Sequence, residues 1–277
     1  MHAHIYATLV CDNNARRPGL SPEHGLSIWL EAGNRSVLFD TGQGTYLPAN
    51  LKTLSLPLDT LDAVVISHGH YDHTGGLAFV MEQCPRAKVF IHAAALADRY
   101  SIQAGKESRY IGMPPEAKAL LHASPERVIW VAGPMEIVPG VWVTGPIPQK
   151  AAAEGREDRF YLDPEGMIAD RFIDEQAVFV QSSYGISVIL GCTHTGVANT
   201  LSHARALTGA GKMHCVMGGF HLSNAGPENV RQAIAAVRDF NPEKIAPCHC
   251  SGAVFASEIA RQLPGFIECD AGTCLRI

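Results

Sequence analysis

Ser67-His68-Gly69-His70-Tyr71-Asp72-His73-Thr74-Gly75-Gly76 follows directly on the apolar run Leu61-Asp62-Ala63-Val64-Val65-Ile66. Three imidazoles and one carboxylate fall within six residues of this stretch. The run reads as a strand that fixes the backbone up to Ile66, and the turn after it lets neighbouring side chains converge. Imidazole nitrogen and carboxylate oxygen are the donors that Zn²⁺, Fe and Mn accept. A solvated loop rarely concentrates four such groups at this spacing, so His68, His70, Asp72 and His73 are read as metal ligands.

Upstream, strands are expected at 4–11, 26–32 and 36–39, the last two joined by a turn at Gly33-Asn34. Downstream, a helix is expected from 75 to 84, because Leu77, Val80 and Met81 recur on one helical face. A strand follows at 88–92, residues 100–126 carry no clear period, and 128–131 and 141–144 read as strands. Residues 146–175 hold several prolines, glycines and charges, and read as an irregular insertion or lid within a single domain spanning 1–277. After it come a hairpin (176–181 and 186–190), a helix near 197–207, a strand at 213–217, a helix at 227–240 and a strand at 244–247. A helix at about 252–262 and a strand at 273–277 close the chain. Each half thus runs from a hairpin into strand-loop-helix units, which predicts two mixed sheets packed face to face with helices outside.

Ligand-type residues recur where these strands end: Asp40, the 68–73 cluster, Cys192 with His194, His221, and His249. Sites in open α/β sheets gather at the C-terminal edges of strands, so one shared site is expected. His92, His122, His203 and His214 are read as ordinary hydrogen-bonded or core residues. His2 and His4 are left open, and His24, just before a strand, is a candidate for lining a pocket.

The spacing His68-x-His70-x-Asp72-His73 before Gly75-Gly76, with Phe39-Asp40-Thr41-Gly42 upstream, resembles the signature of the metallo-β-lactamase superfamily. The resemblance implies a four-layer αββα sandwich and two divalent metal ions, with Zn first and Fe or Mn compatible. It implies that His68 and His70 hold one ion, that Asp72 and His73 hold the other, and that Asp40 supports the loop from behind. His194 is then the candidate to complete the first site, and His249 the second. Two features depart from the pattern. No Gly-His-Thr segment precedes the 186–190 strand, and Gly191-Cys192-Thr193-His194 stands where a bridging Asp is expected. Cys192 is therefore either a ligand or a small buried thiol. His221, in Gly218-Gly219-Phe220-His221, has no fixed superfamily role and is placed in substrate binding or proton transfer.

A narrower set occurs in order: Glu23-His24-Gly25-Leu26-Ser27, Thr144-Gly145-Pro146-Ile147-Pro148, Asp174-Glu175-Gln176-Ala177 and His249-Cys250-Ser251-Gly252. With the segments above, it is similar to the branch of 7,8-dihydropterin-6-yl-methyl-4-(β-D-ribofuranosyl)aminobenzene 5′-phosphate synthase-related proteins. His24 and Asp174 become candidates for the substrate pocket. The leading expectation is a binuclear metal-dependent hydrolase in which a metal-activated water attacks a small phosphorylated or ester substrate, a phosphodiester first, or a pterin-like compound. Asp72 serves there as ligand and catalytic group, with His221 protonating the leaving group. The alternatives are the pterin-related condensation that the branch name implies, and a catalytically silent metal- or ligand-binding protein. Flavo-di-iron proteins carry a carboxylate where His70 stands, which disfavours dioxygen reduction.

The 277 residues are 47% hydrophobic and 18% charged with a formal net charge of −5, a balance with no basic run. No nucleic-acid or membrane partner is expected from such a surface, and the expected partner is a small-molecule substrate. The first residues lack a signal-peptide pattern and no stretch nears ~18 continuous apolar residues, so a cytoplasmic protein is expected. The eight cysteines are scattered without a Cys-x-x-Cys pair, so most are expected reduced and buried rather than in a zinc ribbon.

Overall fold

The chain lays down antiparallel strands and then a row of parallel ones, and it does so twice. The computed structural model describes residues 5–155, 157–209 and 211–277; His2 and His4 lie outside them. In the first half, β1 (Ile5–Cys11), β2 (Ser27–Ala32) and β3 (Arg35–Phe39) form an antiparallel meander, followed by α1 (Leu47–Thr53). Next, β4 (Ala63–Val65) pairs parallel to β3, α2 (Tyr71–Thr74) and α3 (Leu77–Gln83) cross over, and β5 (Lys88–Ile91) pairs parallel to β4. Two short strands, β6 (Tyr100–Ser101) and β7 (Arg109–Tyr110), then precede α4 (Pro115–Ala123), and β8 (Val128–Trp130) extends the parallel row.

The second half begins with β9 (Met135–Val138) and β10 (Val141–Val143). Within 146–175 the described regular element is β11 (Phe160–Tyr161), which pairs with β6 to make a small flap of order β11-β6-β7. The antiparallel pair β12 (Val178–Ser182) and β13 (Gly185–Leu190) leads through α5 (Val197–Thr208) to β14 (Met213–Gly219), and through α6 (Pro227–Phe240) to β15 (Lys244–Cys248), both parallel to β13. After α7 (Ala253–Gln262), β16 (Cys274–Arg276) returns to pair with β1. Two mixed sheets result, β16-β1-β2-β3-β4-β5-β8 and β15-β14-β13-β12-β10-β9.

Strand alternation builds the layers, because successive side chains point to opposite faces. Val37 and Phe39 enter the core between the sheets together with Val178, Val180, Ile189 and Met217. Leu38, Val64 and Ile66 face outward onto α1, α3 and α4. Val188, Leu190 and Val216 face outward onto α5, α6 and α7. The central strands are thus buried on both faces, as parallel strands require. In α6, Val230, Ala233, Ile234 and Val237 are buried at helical spacing, Pro227 starts the helix and Asn241 stops it in a left-handed conformation. This is the expected four-layer αββα sandwich.

Two local details differ from expectation. The helix expected at 75–84 is α3, but an unexpected single turn, α2, precedes it from Tyr71, because His70 stays extended while its carbonyl accepts the Thr74 hydroxyl at 2.8 Å. Asp72 and His73 therefore project from a helical turn. Residues 100–126, which show no period, hold flap strands of two residues each, too short for alternation to register.

Candidate metal centre

Parallel strands β3 and β4 in one sheet and β13, β14 and β15 in the other bring their C-terminal ends to one rim. There the chain turns sharply. Asp40, Thr193, His221 and His249 have φ of 59°, 58°, 50° and 53°. Such left-handed non-glycine residues cost energy and cluster at functional sites. Each follows the end of a strand and aims its neighbourhood across the gap between the sheets.

The structure brings together His68, His70 and His194, whose ring centroids stand 4.6 to 5.0 Å apart. Asp72 meets His249 beside them: its Oδ2 lies 3.5 Å from His249 Nε2, and 3.8 Å from His73 Nε2. Cys192 lies between the two groups. Its sulfur is 3.1 Å from His73 Nε2, and it belongs both to a donor set with His68 and His194 and to one with His73 and His249, each set with its ligand atoms within 4.8 Å of one another. His221 packs beside His194, with centroids 4.1 Å apart and the rings tilted, and its Nε2 is 3.3 Å from Glu157 Oε1. His24 lines the same cavity and places Nε2 3.2 Å from Asp72 Oδ2.

The electrostatics suit a cation. Burial, reinforced by the neighbouring imidazoles, pushes His68, His70, His194 and His249 well below the ordinary imidazole value. They are therefore neutral, the form that binds metal. The Nε2 atoms of His70, His194 and His249 are buried without a hydrogen-bond partner. Buried polar atoms without partners are costly, and several converging on one point call for a ligand. Burial alone would lower His73 too, but the carboxylates of Asp40 and Asp72 outweigh it and lift that ring to about 9. Burial and the adjacent Cys250 push the Cys192 thiol well above its ordinary value, so a thiolate there needs a cation to hold it. The residues present fit divalent metal: they offer neutral nitrogens, one carboxylate and a sulfur.

Buried acids support this loop. Asp40 Oδ1 accepts the Ser67 N–H at 2.7 Å, while its Oδ2 accepts the Ser67 hydroxyl at 2.6 Å and lies 2.7 Å from His73 Nδ1. Glu175 accepts the N–H groups of His194 and Thr195 at 2.6 and 2.7 Å. Asp12 accepts the His249 N–H at 2.6 Å. Asp174 is not in the substrate pocket. It is fully buried, its Oδ2 accepts the Gly69 N–H at 2.9 Å, and its Oδ1 is 2.7 Å from the guanidinium of Arg99. The cause is the tight seat of Gly69, where a Cβ would lie 2.1 Å from the Ala95 carbonyl oxygen and 2.2 Å from the Arg99 guanidinium. Asp174 thus tethers the His68–His73 loop from behind.

Sequence reasoning missed several neighbours. Phe172 stacks on His194 at 4.0 Å and Phe160 packs 5.5 Å from His70, both from the irregular segment, which gave no periodic signal. Cys250 approaches Cys192 across Gly219, where a Cβ would lie 2.7 Å from the Cys250 sulfur. Its place beside His249 was the available signal. His92, His203 and His214 make local hydrogen bonds away from the centre. Among the described residues no helix is long and apolar enough to cross a membrane.

The family model described as the metallo-beta-lactamase superfamily matches residues 20–207. The chain belongs to this superfamily. Members bind divalent metals, in keeping with the donor sets above. An uncharacterised protein of Methanocaldococcus jannaschii is 30% identical over 273 residues, covering 97% of this chain and 99% of that one. The 7,8-dihydropterin-6-methyl-4-(β-D-ribofuranosyl)-aminobenzene-5′-phosphate synthase of the same organism is 25% identical over 245 residues, 83% of this chain and 81% of its own. The crystal structure of Tm1679, a metal-dependent hydrolase of the beta-lactamase superfamily, superposes with a TM-score of 0.83 at 28% identity, covering 99% of both chains. Within the superfamily fold, this chain places a sulfur, Cys192, where three donor sets meet: one with His68 and His194, one with His73 and His249, and one with His221 and Cys250.

Proposed function

We propose that this protein is a binuclear metal-dependent hydrolase of a small phosphorylated or ester substrate, a phosphodiester in the first instance. The observation that carries the reading is the pair of donor sets sharing Cys192 at the floor of an open cavity. His68, His70 and His194 would hold one ion, Asp72, His73 and His249 the other, with Cys192 between them. Zinc is the first choice, because imidazole and thiolate donors both suit it. Bound there, two divalent ions would supply Lewis acidity and a water of lowered pKa. The chain's own part is to orient the donors through Asp40, Asp174 and Glu175, and to exclude bulk water with Phe160 and Phe172. Its remaining part is to hold a proton on His221 beside Glu157 for the leaving group. The resemblance to Tm1679 supports the hydrolytic class.

A second reading, the pterin-related condensation that the resemblance to the synthase branch implies, is favoured by one observation. A second cavity, lined by Gln149, Asp158, Arg171 and Phe172, reaches His194 from the other side of Phe160. Metal analysis together with turnover of bis(p-nitrophenyl) phosphate separates the readings. Metal with turnover supports hydrolysis. Bound metal without turnover on a panel of phosphate and carboxylate esters sinks it, and favours the synthase or a silent binding protein.

Two variants refine the assignment. Cys192→Ser should weaken binding of at least one ion by about tenfold or more and lower turnover, since even groups that merely support ligands are worth that much. Unchanged metal content and activity would reduce Cys192 to a packing residue. His221→Ala should lower kcat by roughly 10²-fold or more with both ions retained. Loss of an ion instead would make His221 a ligand.

A further inference from the structure

We propose that Arg109, on the flap, is an anion-binding subsite that holds a phosphate or carboxylate carried by the substrate away from the reacting bond. The assignment rests on the hydrolytic reading and adds the substrate class to it: an ester with a second, remote anionic group.

The flap geometry sets Arg109 at the exposed mouth of the cavity. On β7, Tyr110 turns toward α4, where its hydroxyl donates to the Met113 carbonyl at 2.9 Å and Lys118 Nζ lies 5.7 Å from its ring. Neighbouring residues on a strand face opposite ways, so Arg109 faces the cavity, which it lines with Tyr71 and His24. Ser101 of β6 pairs with Arg109 on one side and Phe160 on the other. The backbones of Arg109 and Phe160 are therefore roughly 10 Å apart across one intervening strand, enough to span a ligand.

The charges on the wall single out the same residue. Arg159 is paired with Glu157, which also lies 3.3 Å from His221. Asp72 sits among His24, His73 and His249. Among the described residues lining the cavity, Arg109 is the charged side chain left without an opposite charge; its guanidinium lies 5.7 Å from the Tyr71 ring. A planar guanidinium with free donors matches the geometry of phosphate or carboxylate. Tyr71 stands between Arg109 and His24, whose ring it faces at 6.2 Å, so the guanidinium and the metal donors would grip different parts of one ligand.

The test compares three diesters alike at the reacting phosphorus: 4-nitrophenyl phenyl phosphate and its 4-carboxyphenyl and 4-phosphonophenyl analogues. With the metal-loaded wild-type protein, at least one anionic analogue should have a KM lower by about tenfold, the worth of a charged hydrogen bond. The better of the two identifies the group. Arg109→Ala should bring the ratio of KM values to near one, and Arg109→Lys should restore part of it. Calorimetric binding of the same three compounds gives the preference even if none is hydrolysed. A preference that Arg109→Ala abolishes, without hydrolysis, overturns the hydrolytic reading and leaves the subsite standing. No preference in the wild type, or one that survives Arg109→Ala, overturns the subsite whatever the hydrolysis shows.

Discussion

His70→Ala protein is expected to bind one equivalent of metal fewer and to lose turnover by about a thousandfold or more, since a catalytic ion is worth several kcal/mol of barrier. His68→Ala should do the same. Both rings are buried, and the neighbouring imidazoles with burial keep both neutral. His70 Nε2 has no protein partner, so little in the fold itself depends on that atom. What the deletion removes from the fold is the hydrogen bond between His70 Nδ1 and His68 Nε2 at 3.0 Å, and packing against Phe160 and Phe172, at 5.5 and 5.7 Å. The check is metal content by mass spectrometry beside the turnover assay, with melting measured in chelator and in excess zinc. Wild-type protein should gain stability with metal by mass action, and the variant should gain less. A variant that keeps both ions and wild-type turnover would remove His70 from the centre.

Asp40→Ala should be the most damaging single change behind the site. The carboxylate is fully buried, takes two bonds from Ser67, and orients His73 Nδ1 at 2.7 Å. Its loss leaves three donors without an acceptor, at about 1–3 kcal/mol each. Breaking buried polar pairs of this kind costs on the order of 3–5 kcal/mol in all, which lowers Tm by roughly 10 °C in a chain of this size. Alanine also fits poorly at φ 59°, where asparagine is tolerated. Asp40→Asn therefore separates backbone strain from lost acceptance. It should recover part of the stability, while metal binding at the His73 site stays weakened by about 10–100-fold, because the ring is no longer held by a carboxylate. Equal melting of Asp40→Ala and wild type would refute the tether.

The layered fold was legible because its signals are local and repeated. Apolar runs of strand length alternate with helical faces such as Val230, Ile234 and Val237, and parallel strands admit few connections. The flap escaped notice because strands of two residues carry no period. Asp174 was misplaced because an acid beside a strand start does not reveal whether it faces the cavity or the back of a loop. That depended on Arg99, whose guanidinium joins Asp170 and Asp174 at 2.7 Å each.

By itself the sequence determined that Ser67 to Gly76 follows a strand and carries four ligand-type side chains, and that other strands end in such residues too. Six residues are short enough for backbone geometry to decide which side chains converge. The tertiary structure decided how those ends combine. Gly69 meets Asp174 across 105 residues, His73 meets Cys192 across 119, and His249 meets Asp12 across 237. No local preference encodes such pairings. They arise when two sheets bury their inner faces against each other and bring the parallel strand ends of both to one rim, where Cys192 falls between the two sets of donors.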